Sequence, residues 1–348
     1  MTNTKKKLLK KIGPAIDTFT ALNTRVVVLE KIAGVTDKQW ARQFFEAHWP
    51  QWYGKRLPPS TKISSALEHQ NIMVARQERF IIGFRFSSPP HKKIVAHFNF
   101  SKHKIQAPPL KAVYDQDQSL ISRPLGSFMG GQMLVREFSP GTSFHQIIKK
   151  GNLKSAHLKA VAKTLHQLHR VKTFSLFPKK NPILKFLTAN LKRNARLNPA
   201  LYPILASFAK TSVRVINESA GKTPVLCHGD ASPSNIIFSG NKAQLIDWDL
   251  AHQNEPVYDL AYLSAHLVDT MTIKEVSPRK ITTAKNTLLK AYRSKFSQKR
   301  FLAWEALILT VIVDHLLQSY CYDHLKSRMD FMLKMAEEDL FLCEKIKG

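Results

Sequence analysis

The hydrophobic pattern of this chain changes period once, at Ser139-Pro140-Gly141, and that change limits the architectures open to it. Before it, short apolar runs are separated by polar turns: Lys62 to Leu67, Ile72 to Ala75, Phe80 to Phe86, Ser119 to Ile121 extending toward Leu125, and Gln132 to Phe138. Runs of this length bounded by turn residues read as strands. After it, Leu158, Val161, Ala162, Leu165 and Leu168 recur at helical spacing, with Lys159, Lys163 and Arg170 on the other side, and beyond Tyr258 the pattern stays helical almost to the end. The expectation is an α+β chain in two lobes: a basic tail at 1–20, a small β-rich lobe at 21–138 and a larger, mainly helical lobe at 139–348.

Two local readings refine this. Thr36-Asp37-Lys38-Gln39 has the capping-box pattern and opens a helix through Trp40, Phe44, Phe45 and Trp49 that Pro50 is expected to end. Ile94 to His103 fits helix or strand equally, and Ala107-Pro108-Pro109 breaks it.

Charge is the next constraint. The 348 residues carry 53 Lys and Arg against 25 Asp and Glu, a formal charge of +28. The 44% hydrophobic content is enough for a folded core and excludes a wholly disordered chain. From Phe138 to Asn217 there is no acidic residue among 80, and 15 are Lys or Arg. The segment 228–269 reverses this, with Asp230, Asp247, Asp249, Glu255, Asp259 and Asp269 against the single base Lys242. A positive field of this size attracts nucleic acid, anionic membrane or phosphorylated ligands. Carboxylates grouped inside a basic protein are a natural place to hold a divalent cation.

Cys227, Cys321 and Cys343 form no CxxC pair, so neither a zinc site nor a disulfide framework is expected, and a reducing, cytoplasmic setting is. Five lysines between Lys5 and Lys11 lead into no apolar run, so a secretory leader is not expected. Ala306 to Val313 is too short to span a bilayer.

The most specific stretch is Leu226-Cys227-His228-Gly229-Asp230-Ala231-Ser232-Pro233-Ser234-Asn235, followed by Leu245-Ile246-Asp247-Trp248-Asp249. Its form is H-G-D-x-x-x-x-N, then a hairpin signal at Ser239-Gly240-Asn241 that brings a further Asp alongside. Phosphoryl transfer needs a carboxylate to orient and deprotonate a hydroxyl, and oxygen ligands to hold metal beside the phosphates. Cys227 itself reads as a small buried residue, and His166 and His169 as core or interface histidines.

These residues, together with Glu255-Pro256-Val257-Tyr258-Asp259-Leu260-Ala261 and the Leu165-His166-Gln167-Leu168-His169 helix, resemble the aminoglycoside phosphotransferase and choline kinase family. That resemblance implies a protein-kinase-like fold with ATP and Mg²⁺ as cofactors. It makes Asp230 the catalytic base, Asn235 and Asp247 the metal ligands, His228 an orienting residue, Asp249 an assistant to metal or substrate, and Asp259 a tie between a helix start and the catalytic loop. In the first lobe, Glu68-His69-Gln70-Asn71 falls at the expected turn between the first two strands. Arg85 is the best match for the basic residue that the family carries on its third strand. Glu137 and Phe138 mark the hinge whose backbone would meet adenine. One departure is plain: His91 to Lys104 holds no acid to pair with the basic residue.

The function implied is transfer of the γ-phosphate of ATP to a hydroxyl of a small molecule. The few carboxylates outside the motif disfavour a polycationic acceptor and leave sugar-like, lipid-linked or anionic ones open. Two alternatives stay open beside it: a catalytically weakened nucleotide-binding module of the same fold, and a basic protein of nucleic-acid or membrane surfaces. Peripheral contact with anionic lipid through the tail is compatible with any of them.

Overall fold

The computed structural model describes residues 34, 37–73, 77–87, 93–99, 107–179, 191, 199–218, 224–319 and 325–346; the basic tail lies outside them. The chain divides into two compact units. One comprises residues up to Lys111 together with Arg123–Phe138, and the other Ala112–Ser122 together with Ser139 onward.

The first unit is built on an aromatic helix. Helix α1, Lys38–Tyr53, starts at Asp37, whose carboxylate accepts from the N–H groups of Gln39 and Trp40 at 2.9 and 3.0 Å. It does not end at Pro50. It runs on to Gly54, whose left-handed backbone (φ 67°) lets its N–H bond back to the Pro50 carbonyl. Proline removes one helical hydrogen bond, but Trp52 is buried and Tyr53 packs on Trp49, so tertiary packing carries the helix through.

Strands β1 (Ile63–Met73), β2 (Gln77–Phe86) and β3 (Lys93–Asn99) follow, then helix α2 (Ala107–Gln116) and strands β4 (Pro124–Phe128) and β5 (Met133–Glu137). All pair antiparallel in the order β1-β2-β3-β5-β4. Ile94 to Asn99 thus resolves as strand, and Pro108 and Pro109 occupy the first turn of α2, where a missing N–H costs no helical bond. The described parts of the runs at 62–67 and 72–75 fall on one strand, Ile63–Met73: a bulge at Glu68 takes up the residue at which their alternation slips. One face of the sheet presents Ile82, Phe84, Phe86, Ile94, Ala96, Phe98, Met133 and Val135 to α1. Phe45 meets Phe84 and Phe86 edge-on at 4.9 and 4.8 Å, a geometry that adds about 1 kcal/mol per pair beyond area burial.

The second unit holds the motif. After β6 (Thr142–Ser143), α3 (Phe144–Lys149), α4 (Ser155–Leu168) and α5 (Tyr202–Glu218) comes the short strand β7 (Val225–Cys227). Then follow a hairpin, β8 (Ile236–Ser239) and β9 (Lys242–Leu245), and β10 (His252–Asn254). Helices α6 (Val257–Thr272), α7 (Pro278–Ala291), α8 (Gln298–Ser319) and α9 (Lys326–Lys345) complete it. β8 pairs with β6 and β9, and β7 with β10. Helix α8 is buried along Phe301 to Leu309 and packs on α5, α6 and α9. No helix among the described residues is long and apolar enough to cross a membrane.

Two buried charge clusters brace this helical part. Glu255 receives the Arg300 guanidinium through both oxygens, the Trp304 indole N–H at 2.5 Å adds a third donor, and Arg300 also donates to the Ile216 carbonyl. Lys285 pairs with Glu305 at 2.9 Å, and Glu305 accepts from Ser264 at 2.6 Å. Such pairs hold geometry more than they add stability, because desolvation offsets most of their attraction.

Candidate active site

The loop 228–235 is held from beneath by one carboxylate. Asp259, in the first turn of α6 and fully buried, accepts from the backbone N–H of His228 at 2.7 Å and of Gly229 at 3.1 Å. His169, at the end of α4, donates to it from Nε2 at 3.1 Å and is itself fixed by the Tyr292 hydroxyl at 2.7 Å. Burial opposes the charge on Asp259, but the hydrogen bond and attraction of His169 and the loop N–H of His228 outweigh it, so its pKa lies below the ordinary carboxylate value. This is the tie that the sequence suggested for Asp259.

Gly229 is required in this loop. Its φ is +81°, and a Cβ there would stand 2.0 Å from the Leu250 carbonyl oxygen. His228 is buried and donates from Nε2 to the Ile246 carbonyl at 3.0 Å, while its ring meets Trp248 edge-on. Burial lowers its pKa despite Asp259 and Asp247, so the imidazole stays neutral, as an orienting residue should.

Asp230 is half-buried at the end of this braced stretch. Asn235 donates from Nδ2 to the Asp230 carbonyl at 3.0 Å. The β8–β9 register sets Ile236 against Leu245, and the Ile246 N–H bonds the Asn235 carbonyl at 2.9 Å. Asp247 is therefore brought beside the loop. It takes φ +60°, the left-handed region that Asp tolerates better than most residues, which is why β9 stops at Leu245 instead of running to Trp248 as its apolar pattern suggests. The structure thus brings Asp230, Asn235 and Asp247 together within one unit. Carboxylate and carboxamide oxygens are the donors that a hard divalent cation takes, and Asp247 Oδ1 is buried without a hydrogen bond of its own, so the donor set fits Mg²⁺.

The other acids of the island are structural. Glu255 is locked to Arg300, and Asp269 pairs with Arg328. Cys227 is buried and donates to the Glu255 carbonyl; burial raises its thiol pKa, which is inert behaviour. His166 bonds Ser294 and packs on Tyr292.

In the first unit, Arg85, Glu137 and Phe138 gather at one end of the sheet. Arg85 stands opposite Lys93, and Ile94 opposite Glu137. Among the described strands, however, Arg85 lies on the second, exposed, and the third carries Lys93 and His97. The bulge at Glu68 is the reason: it merges two expected strands and moves the count by one. Glu68 to Asn71 accordingly lie inside β1, and residues 74–76 are outside the described residues. His97 is buried on the sheet face opposite the aromatic core. At the expected hinge, the N–H groups of Glu137 and Phe138 bond the Arg123 and Lys93 carbonyls. The Glu137 carboxylate accepts from Tyr53 at 3.0 Å, and the Lys93 ammonium sits 3.9 Å over the Phe138 ring.

A sequence model of the phosphotransferase enzyme family matches residues 94–280, more than half of the chain and all of the loop just described. The chain belongs to that family. No curated protein sequence matches it. Among solved structures, an amicoumacin kinase in complex with AMP-PNP, Ca²⁺ and Ami is similar over 89% of this chain and 95% of that one, at 14% identity and a TM-score of 0.57. A Plasmodium vivax ethanolamine kinase is similar over 99% and 94%, at 14% identity and 0.55. A spectinomycin phosphotransferase in complex with ADP and spectinomycin is similar over 87% and 98%, at 15% identity and 0.54. These likenesses establish the protein-kinase-like fold.

One residue at the loop was not singled out in the sequence. Tyr262, on α6, stands close enough to Asp230 that burial, the Asp230 charge and a side-chain hydrogen bond to it raise the phenol's pKa. An aromatic one turn after Tyr258 in an apolar helix reads as core, and nothing local distinguishes it.

Proposed function

We propose that this phosphotransferase uses ATP and Mg²⁺ to phosphorylate a hydroxyl of a small molecule, with Asp230 as the base. The observation that carries the reading is the braced loop: Asp259 and Gly229 fix the backbone on one side of Asp230, while on the other Asn235 bonds the Asp230 carbonyl and is itself bonded by Ile246, the residue before Asp247. A base positioned by a rigid frame is what proton abstraction from a hydroxyl requires.

In the step, the acceptor oxygen forms a bond to the γ-phosphorus as its proton passes to the Asp230 carboxylate. The bond from γ-phosphorus to the β–γ bridging oxygen breaks, and ADP leaves with that electron pair. Asn235 and Asp247 would hold Mg²⁺, which when bound neutralises charge on the phosphates. Asp249 assists on the same turn. In this reading residues 21–138 bind nucleotide, with Arg85 on phosphate and the backbone at Glu137 and Phe138 toward adenine, and residues 139–348 bind acceptor and carry out transfer. A cytoplasmic location goes with it, as does a sugar-like or anionic acceptor. The named ligands of the similar structures, AMP-PNP and ADP among them, support nucleotide as donor.

A second reading, a nucleotide-binding module with weakened catalysis, draws on the place of Arg85 on the second strand. Incubation with MgATP and a panel of hydroxylated metabolites separates the two. ATP-dependent product with wild type and none with a folded Asp230→Ala protein supports the enzyme. Full turnover by that variant sinks Asp230 as base, and a thermal shift with MgATP without product from any acceptor favours the module.

A further inference from the structure

Helix α6 is buried on every side except one. From Val257 to Met271, only Tyr262, His266 and Asp269 are part-exposed, at i, i+4 and i+7 on a single face. That face begins at the catalytic loop. Tyr258 donates to the Gly229 carbonyl at 3.2 Å, and Tyr262, one turn on with its ring 5.9 Å from that of Tyr258, reaches the Asp230 side chain. His266 packs on the Tyr262 ring as well, centroids 4.5 Å apart and 33° between planes, so two rings restrain the phenol. A tyrosine serving only as core filler would be buried like its neighbours and would have no reason to spend its hydroxyl on a half-buried carboxylate.

We propose that Tyr262 is a positioning residue for the transfer reaction: its hydroxyl holds one oxygen of Asp230 so that the other is presented to the acceptor hydroxyl. The inference rests on Asp230 being the base. The terminal torsion of an aspartate is broad and two-fold, so an unheld carboxylate spends much of its time turned away from its target. A hydrogen bond from a restrained phenol removes that freedom without consuming the reactive oxygen. Burial and the charge of Asp230 push the phenol's pKa well above its ordinary value, so it remains a donor at any working pH.

The test is Tyr262→Phe, which deletes the hydroxyl and keeps the ring. Steady-state rates are measured with MgATP and choline, ethanolamine, spectinomycin and glucose as acceptors, with ATP hydrolysis as the background, alongside wild type and Asp230→Ala. Thermal melting checks that the variant is folded. The expected result is a kcat lower by roughly 10- to 100-fold with KM for ATP within about twofold, because the ground-state complex does not need the held rotamer. A folded variant with wild-type kcat overturns the role of Tyr262 and leaves Asp230 as base untouched. An equal change in KM with kcat preserved overturns it also, assigning Tyr262 to binding alone. Transfer by wild type that Asp230→Ala retains, or no transfer by wild type, refutes the underlying reading and the inference with it.

Discussion

Removing the Asp259 carboxylate should loosen the 228–235 loop. Three donors converge on it: His228 N–H, Gly229 N–H and His169 Nε2. A buried donor left without an acceptor costs about 1–3 kcal/mol. Asp259→Ala opens a small cavity into which a water can relax, which places each loss near the lower end, so the sum is about 3–5 kcal/mol. For a unit of this size each kcal/mol moves the midpoint by about 2–4 °C, and a fall of roughly 10 °C in Tm is expected. Asp259→Asn should cost less, about 2–3 kcal/mol, because its carbonyl still accepts while its amide faces donors.

The same carboxylate carries a pH signature. Its folded pKa is depressed, so between the folded and unfolded values the unfolded chain binds more protons and stability rises with pH. The contribution is whole above the unfolded value of about 4 and is lost as pH falls through the folded one. Urea denaturation of wild type and Asp259→Ala at pH 7 and at acid pH measures both effects. The gap between the two proteins should narrow in acid. A variant within about 1 kcal/mol of wild type at pH 7, or a gap independent of pH, refutes the view that ionised Asp259 pins the loop.

Gly229→Ala should destabilise by about 3 kcal/mol or more, because its Cβ at φ +81° meets the Leu250 carbonyl at 2.0 Å; a chemical melt reads this, and a neutral result removes the steric argument. Glu255→Ala should cost about 3–5 kcal/mol by stranding the Arg300 charge, whereas Glu255→Leu with Arg300→Met should recover most of it; a double variant no better than the single shows that the pair itself supplies the stability. Below about pH 6.5 the protein should lose stability as burial keeps His228, His252 and His266, the last with a pKa lowered to about 4, from protonating in the folded state. Denaturant midpoints at pH 7.5 and 5.5 test this, and an unchanged midpoint refutes it.

The arrangement of the 228–235 loop was legible because its parts are near in sequence: Asp230, Asn235 and Asp247 are joined by one turn and one hairpin, and local signals fix both. Asp259 was legible for the same reason, sitting just past the segment it braces. The first unit was harder. Alternation breaks at Glu68, and without coordinates a bulge and a strand end look alike, so the run holding Arg85 was expected on the third strand and lies on the second. Pro50 misled in the other direction, since its local cost is overridden by Trp52 and Tyr53, whose partners Phe128, Glu137 and Arg123 come from far along the chain. Tyr262 could not be found at all from spacing, because i, i+4 aromatics on a buried helix carry no mark of which one turns its hydroxyl to a carboxylate.

The acidic island of 228–269 is two populations rather than one, and burial separates them. Asp259 and Glu255 are buried and Asp269 nearly so, each committed to a cation or to loop donors from another element. A carboxylate in such a pair cannot take up a proton or a metal ion without abandoning its partner at a cost of several kcal/mol. Asp230, Asp247 and Asp249 are half-buried on the loops between those anchors, where a change of protonation or ligand costs the frame little. The charge contrast therefore serves two ends: the paired acids turn a basic chain's own arginines into braces, and the braces hold the remaining acids where phosphoryl chemistry would need them.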